Sequence, residues 1–366
     1  MSSRVVVAVD SFKGSIGAAE AAARIAAGWG AYRPDDDLWL RPMADGGEGT
    51  VAAFAAAVDG SHLMPLTVRG PEGSVIDAAW LLLPDGTGVV ELASTSGIEL
   101  LGERRTPFDA DTFGFGQAIA AAIAHGVRRL VLGIGSSSST DGGVGLLTAL
   151  GVRFLGGDGL QVRPGLRGLP DIVEVDFTGL LTLPPEGVVV LSDVRNPLLG
   201  AMGAAAVFGP QKGLREGEID AADDALAHLA LLLPADAEAE GAGAAGGSGF
   251  ALLAWGAELV PGAPEVARLI GLAEAVAGAD QVITGEGSFD AQSAQGKVPG
   301  FVADQAAAAG VPVSLIAGRI ADDADVSAFS GTRSLTVLAG GAEPAMANPA
   351  RWLEVAASEL AARAAD

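Results

Sequence analysis

Val5-Val6-Val7-Ala8-Val9, running directly into Asp10-Ser11-Phe12-Lys13-Gly14-Ser15 and then into the alanine-rich stretch 16–29, decides the fold class. Five apolar residues without alternation describe a strand covered on both faces, as in parallel sheets flanked by helices. The polar turn and the helix after it complete the start of a βα unit, with Ser15 as the expected N-cap. The pattern recurs: strands are expected over residues 89–92, 129–133, 188–191, 281–284 and 311–316, and helices over 112–125, 219–233, 264–277, 298–309 and 349–365. Alternation of this kind gives an α/β protein with a mostly parallel sheet.

At 366 residues the chain exceeds one ordinary core, so two α/β domains with a cleft between them are expected. Residues 63–83 interrupt the alternation with strand-like sequence punctuated by Pro and Gly, which points to a second domain inserted in the first. Residues 1–62 and 275–366 are assigned to a discontinuous Rossmann-like domain, and 63–274 to a second α/β domain able to return segments to the first. The Ala-, Gly- and acid-rich stretch 234–249 reads as a mobile linker or a solvated loop. No repeat of solenoid length is present.

Composition narrows the function. Acidic residues outnumber basic ones 45 to 22, and the net charge of −23 repels nucleic acid and anionic membrane surfaces. A small anionic substrate stays admissible, because salt screens surface charge over about 8 Å and a few cations can dominate one cleft. The absence of cysteine removes disulfides and thiol chemistry, and His62, His125 and His228 lack metal-ligand spacing. The first apolar run ends at Asp10, too soon for a leader or a span, and the uncharged stretch 241–257 is mainly Gly and Ala. A cytoplasmic location with no membrane partner is expected; oligomeric state is not legible.

In open α/β sheets, functional loops follow the carboxyl ends of strands, and five polar segments do so here. Lys13, in Asp10–Ser15, stands just before a helix N-terminus and could hold an anion, although a plain capped turn uses the same residues. In Asp45-Gly46-Gly47-Glu48-Gly49-Thr50, glycines permit close backbone approach and two carboxylates could serve a cation or a hydroxyl. Gly135-Ser136-Ser137-Ser138-Ser139-Thr140-Asp141 offers hydroxyls and amides as a phosphate cradle, with a flexible Ser/Gly loop as the alternative. Asp193, in Ser192-Asp193-Val194-Arg195-Asn196-Pro197, is the candidate to orient or deprotonate an attacking hydroxyl, against a turn-capping role. Finally, Gly285-Glu286-Gly287-Ser288-Phe289-Asp290 continues through Gln292 to Lys297. Glu286 and Asp290 there could bind magnesium while Lys297 neutralises a phosphate.

No Walker A loop exists, the nearest approach being residues 291–298, and the serine loop fails Gly-x-Gly-x-x-Gly because Ser138 occupies the third glycine position. A nicotinamide-dependent dehydrogenase therefore lacks its fingerprint. Carboxylates, lysines and glycine loops without cysteine or histidine suit phosphoryl transfer, which needs positioning and charge neutralisation more than covalent chemistry.

Taken together and in order, these segments, with Pro42–Thr50, Ala93-Ser94-Thr95-Ser96-Gly97-Ile98 and Val207-Phe208-Gly209-Pro210-Gln211-Lys212-Gly213, resemble the type I glycerate kinase family over nearly the whole chain. The resemblance implies two α/β domains, one Rossmann-like or flavodoxin-like and a smaller one with a mixed sheet, enclosing an interdomain active site. It implies an ATP- and Mg2+-dependent kinase of D-glycerate giving 2-phosphoglycerate, more commonly than 3-phosphoglycerate. A kinase of a related hydroxy acid and a non-catalytic ligand-binding relative stay open as alternatives. Carried over by motif, Asp193 and Lys13 are the catalytic candidates, with Asp10, Ser11, Asp45, Glu48, Ser94 and Asn196 on the substrate. Gly135, Ser136, Ser137, Ser138, Ser139, Thr140, Asp141, Lys212, Gly285, Gly287 and Lys297 are placed on ATP phosphates, and Glu286 and Asp290 on the metal. Two positions depart from the pattern: Ser136 stands where glycine is expected, and Ser288 where many members carry arginine, a bidentate anion clamp.

Overall fold

The computed structural model describes residues 2–291, 293 and 297–363, so Gln292, Ala294, Gln295 and Gly296 of the fifth polar segment and residues 364–365 of the expected last helix lie outside the described residues. In chain order the strands are β1 (Arg4–Val9), β2 (Asp37–Leu40), β3 (His62–Arg69), β4 (Val75–Leu82), β5 (Thr87–Glu91), β6 (Arg129–Gly133) and β7 (Arg153–Leu155). They continue with β8 (Glu174–Asp176), β9 (Val188–Leu191), β10 (Glu258–Val260), β11 (Gln281–Phe289), β12 (Val313–Ile320) and β13 (Gly331–Ser334). The chain divides into two compact units: Met1–Asp45, Ala52–Asp59 and Ala263–Asp366 form the first, Gly46–Val51 and Gly60–Gly262 the second.

The first unit is built on a five-stranded sheet in the order β13-β12-β11-β1-β2, with every pair parallel. Val5 to Val9 are fully buried, as an unalternated run between two helical layers requires. On one face, helix Ala18–Tyr32 turns Ala21, Ala22, Ile25 and Trp29 to the core, at helical spacing. It crosses helix Pro349–Arg363 at Gly28, where a Cβ would lie 2.1 Å from the carbonyl oxygen of Glu354, and the Ser358 hydroxyl donates to Gly28 O at 2.7 Å. The chain leaves β1 for β2 on one side and returns as β11 on the other. Strand order therefore reverses at β1/β11, the kind of switch point that opens a crevice at the carboxyl ends.

The second unit carries a six-stranded sheet, β10-β9-β6-β5-β4-β3, parallel from β10 to β5 and antiparallel across β5-β4-β3. The strand-like stretch 63–83 is the β3–β4 hairpin, turned through Gly70 and Gly73, the latter at φ +91°. One face of β3 is exposed, which is why its sequence differs from the buried parallel strands. This mixed-sheet unit is the larger of the two, where a smaller one was expected, because the hairpin and the β7–β8 ribbon both belong to it.

Three local expectations are corrected. Ser15 does not cap the first helix: its hydroxyl donates to Phe12 O at 2.7 Å, closing the loop on itself, and the helix starts after Gly17. The stretch 264–277 is two helices, Gly262–Leu269 and Leu272–Ala277, broken where Gly271 takes φ +65°. The stretch 234–249 is no solvated linker in its second half. Ala242, Ala244, Gly246, Gly247 and Ser248 are buried, and the segment Ala244–Trp255 is helical apart from a left-handed kink at residues 245–247, because small residues let this backbone pack tightly against its neighbours. No described helix is long and apolar enough to cross a membrane.

Candidate active site

In the first unit, Asp10 follows β1, Asp45 follows β2, and Glu286 lies near the end of β11, so three carboxylates come to the carboxyl edge of three adjacent strands. Asp10 is anchored by its N–H to Gly285 O at 2.8 Å, and its Oδ1 accepts from Ser11 N at 2.6 Å. Burial, reinforced by the Asp45 carboxylate, pushes the Asp10 carboxyl up to about 7; the Ser11 N–H and Lys13 pull against that rise and Glu286 adds to it. Lys13 Nζ lies 4.0 Å from Asp45 Oδ2, and its side chain is 80% exposed, free to turn toward a ligand.

Glu286 is buried, and burial is the main force raising its carboxyl above the usual range. Ser293, Lys297 and Lys13 pull the other way, and Asp290 pushes up. Its Oε1 is buried with no hydrogen-bond partner among the described residues, an unmet demand for a proton or a cation. Asp290, in contrast, accepts from Ser293 N at 2.9 Å and Ser293 Oγ at 3.1 Å, and Lys297 stands exposed at the start of helix Val298–Ala309. Gly287 permits the Phe12–Lys13 backbone to lie on β11, where a Cβ would sit 3.1 Å from Lys13 N. Gly285 likewise faces Ile316 O, 2.0 Å from where its Cβ would be. No set of three ligand-type side chains is preassembled for a metal among the described residues.

In the second unit, the carboxyl ends of β5, β6 and β9 lie side by side and bring Ser94, the serine loop and Asp193 to one edge. The loop is no flexible tether. Asp141 is fully buried and accepts from five donors: Thr112 N and Oγ1 and Gly145 N at Oδ2, Ser139 Oγ and Gly143 N at Oδ1. Ser138 donates through N and Oγ to Ser96 O. Lys212, 1% exposed, donates to Ser137 Oγ at 2.7 Å and Ser139 O at 2.5 Å. Burial pushes the Lys212 ammonium down to about 7 while Asp141 pulls it back up. The hydroxyls of Ser137, Ser138 and Ser139 thus have partners within the protein. Ser136 is exposed, and Thr140 Oγ1 is buried without a partner among the described residues.

Ser136 takes φ +58°, one of two non-glycine residues with positive φ among those described, which accounts for the glycine expected there. Behind the loop, Ala245, Gly246 and Gly247 run through left-handed conformations. At Gly246 a Cβ would lie 2.1 Å from Ser139 O and 2.9 Å from Lys212 Nζ.

Asp193 is exposed and accepts from Gly262 N at 2.9 Å through Oδ1. Asn196 uses its side chain on Met202 O at 2.7 Å and its carbonyl on Gly243 N at 2.9 Å. Ser94 Oγ donates to Glu91 O at 3.1 Å, and Glu48 is exposed. The Asp45–Thr50 segment passes from one unit to the other: Gly46, at φ +95°, approaches Leu191 O so closely that a Cβ would lie 2.4 Å from it.

Sequence reasoning missed Glu91. It is buried at the end of β5, and Oε2 accepts from Val51 N at 3.0 Å. Burial raises its carboxyl, the N–H groups of Val51, Gly49 and Thr50 lower it, and Glu48 raises it. An acid closing an otherwise apolar strand was the available signal. Thr112 was also missed as a loop anchor; nothing local in its sequence marks it.

The fold and these residues define an α/β enzyme whose polar edges are equipped for binding and neutralising charged groups. The sequence profile of the Glycerate kinase family matches residues 5–365. Glycerate kinase of Bacillus subtilis is 39% identical over 98% of this chain and 97% of its own. Glycerate 2-kinase of Escherichia coli is 40% identical over 88% of this chain and 87% of its own. A crystal structure of a protein assigned as glycerate kinase 2 from Salmonella typhimurium LT2 superposes with a TM-score of 0.85 at 36% identity, covering 99% of this chain and 98% of that one. The chain belongs to the glycerate kinase family.

Proposed function

We propose that this kinase transfers the γ-phosphate of ATP to D-glycerate and yields 2-phosphoglycerate. The observation that carries the reading is family membership along the full length, and the name of the Escherichia coli relative supports the 2-position over the 3-position. Lys13, exposed beside Asp45, holds the substrate carboxylate or the transferred phosphate, and Asp10, Ser11, Asp45, Glu48, Ser94 and Asn196 serve the substrate. Ser136 and Thr140 meet the nucleotide phosphates, because their hydroxyls are not consumed by hydrogen bonds like those that occupy Ser137, Ser138 and Ser139. Gly285, Gly287 and Lys297 are assigned to the phosphates by their family motif alone. Asp141 and Lys212 hold the loop in shape.

The donor set at Glu286 fits magnesium, since its buried Oε1, without a partner among the described residues, is a hard oxygen ligand; Asp290 lies next to it. Bound with the nucleotide, the ion would neutralise charge on the β- and γ-phosphates.

Asp193, at the carboxyl edge of β9, orients the attacking hydroxyl and takes its proton. A second assignment is favoured by one observation: Asp10, whose carboxyl is pushed up to about 7 beside Lys13, is tuned to accept a proton near neutral pH.

The test is ATP- and magnesium-dependent consumption of D-glycerate by the purified protein, with the phosphate position read by phosphorus NMR. Turnover to 2-phosphoglycerate is expected. ATP binding without turnover of D-glycerate would move the reading to another hydroxy acid or to a non-catalytic relative.

A further inference from the structure

β11 and β12 continue as a parallel pair past the end of β1, through Glu286↔Ala317, Ser288↔Arg319 and Phe289↔Ile320, and Ala321 N still donates to Phe289 O at 2.9 Å. Register partners on adjacent parallel strands project from the same side of a sheet, about 4.8 Å apart. Arg319 therefore leaves the sheet beside Ser288 and on its side, at the strand end that carries Glu286. Ser288 is the position where an arginine was expected.

Arg319 also differs from most other arginines of this unit. Arg4, Arg24, Arg33, Arg268 and Arg333 each pair with a carboxylate, Arg41 donates to Leu40 O, and Arg351 lies over the Trp352 ring. Arg319 is exposed and has no hydrogen bond, ion pair or ring contact among the described residues, although Asp322 and Asp323 follow closely in sequence. An anionic ligand at an edge already lined by Asp10, Asp45 and Glu286 needs compensating cations. Lys13 is partly engaged by Asp45, whereas the Arg319 fork is unspent and mounted on a hydrogen-bonded strand rather than on a loop.

We propose that Arg319 grips an anionic oxygen of a bound substrate, the polyphosphate of the nucleotide or the carboxylate of the hydroxy acid, and so supplies from the neighbouring strand the guanidinium that Ser288 lacks. The inference rests on the phosphotransferase reading above. Its test compares the wild type with Arg319→Ala, Arg319→Lys and the exchange S288R/R319S, by kcat and both KM values and by calorimetric binding of ATP and, separately, of D-glycerate.

Arg319→Ala should lower kcat/KM by roughly 10–100-fold, the scale of a lost charge-assisted pair. A rise confined to the ATP KM assigns the polyphosphate, and one confined to the glycerate KM assigns the carboxylate. Lysine should recover only part of the loss, as a point charge without the fork, and the exchange should return activity to within about threefold of wild type. Melting temperatures should not move, since the substitution removes no bond to any described residue. The proposal is overturned if Arg319→Ala stays within about twofold in kcat and both KM values, or if the exchange is no better than alanine. A wild type that turns over no glycerate sinks the functional reading alone. In that case weaker binding of ATP or glycerate by Arg319→Ala still upholds the arginine, and unchanged binding, or no binding by the wild type, overturns it.

Discussion

The carboxylate edge of the first unit and the serine loop of the other are similar in sequence, each a run of Gly, Ser and acids after a buried strand, yet their physics is opposite. The serine loop is satisfied from within: Asp141 has five donors, Lys212 is buried against two oxygens, and three of the four serine hydroxyls are occupied. The carboxylate edge is left with unmet demands. Asp10 and Glu286 are both pushed up by burial, Glu286 Oε1 has no partner among the described residues, and Lys13 is mostly exposed. One region is a rigid shape that presents a few groups; the other is a set of charges that only a ligand or a proton can balance.

The contrast breaks first at the base. With folding intact, the variant lacking the true proton acceptor, Asp193→Asn or Asp10→Asn, should lose turnover by roughly 10²–10⁴-fold. The kcat/KM profile separates them: if Asp10 is the acceptor, wild-type kcat/KM declines as pH drops below about 7, and that acid limb is absent in Asp10→Asn. Near-normal turnover in Asp193→Asn would remove it from the role.

Next in size is the loop. Asp141→Ala strands five donors in the interior and should cost about 3–5 kcal/mol in urea unfolding, whereas loss of an exposed site carboxylate should not. Stability near wild type would mean that the loop is held by something other than Asp141.

A smaller effect reads the sign of the strain at Asp10. Its carboxyl is raised in the folded state, so the folded protein binds the extra proton, and stability falls as pH rises from about 4 to about 7. Asp10→Asn should therefore melt higher than wild type at pH 8, an advantage that shrinks toward pH 4. A variant that melts lower at pH 8 would contradict the buried, repelled carboxylate.

The smallest effect is at Ser136. Glycine there relieves a left-handed backbone conformation, and Ser136→Gly should gain about 0.5–1 kcal/mol in urea unfolding, after the entropy glycine costs in the unfolded chain.

Much is legible in the sequence alone, for local reasons. The apolar runs at 5–9, 129–133 and 188–191 could only be covered parallel strands, and polar residues placed after them had to reach a carboxyl edge. The two departures were visible too: Ser136 occupies a positive-φ position, and Ser288 faces Arg319. Glu91 escaped because its partner amides come from residues 49–51, far away in sequence. Helix 264–277 was read through its break because Gly271 is a single residue whose φ no periodicity announces.

The sequence by itself determined the α/β class, the order of the polar loops and the chemistry available in them, because burial pattern and residue type are properties of short segments. Only the tertiary structure decided which polar groups are spent and which remain for a ligand. Ser139 is consumed by Asp141, and Glu286 Oε1 is left over among the described residues. That outcome depends on partners brought together from distant parts of the chain, and on the desolvation they share.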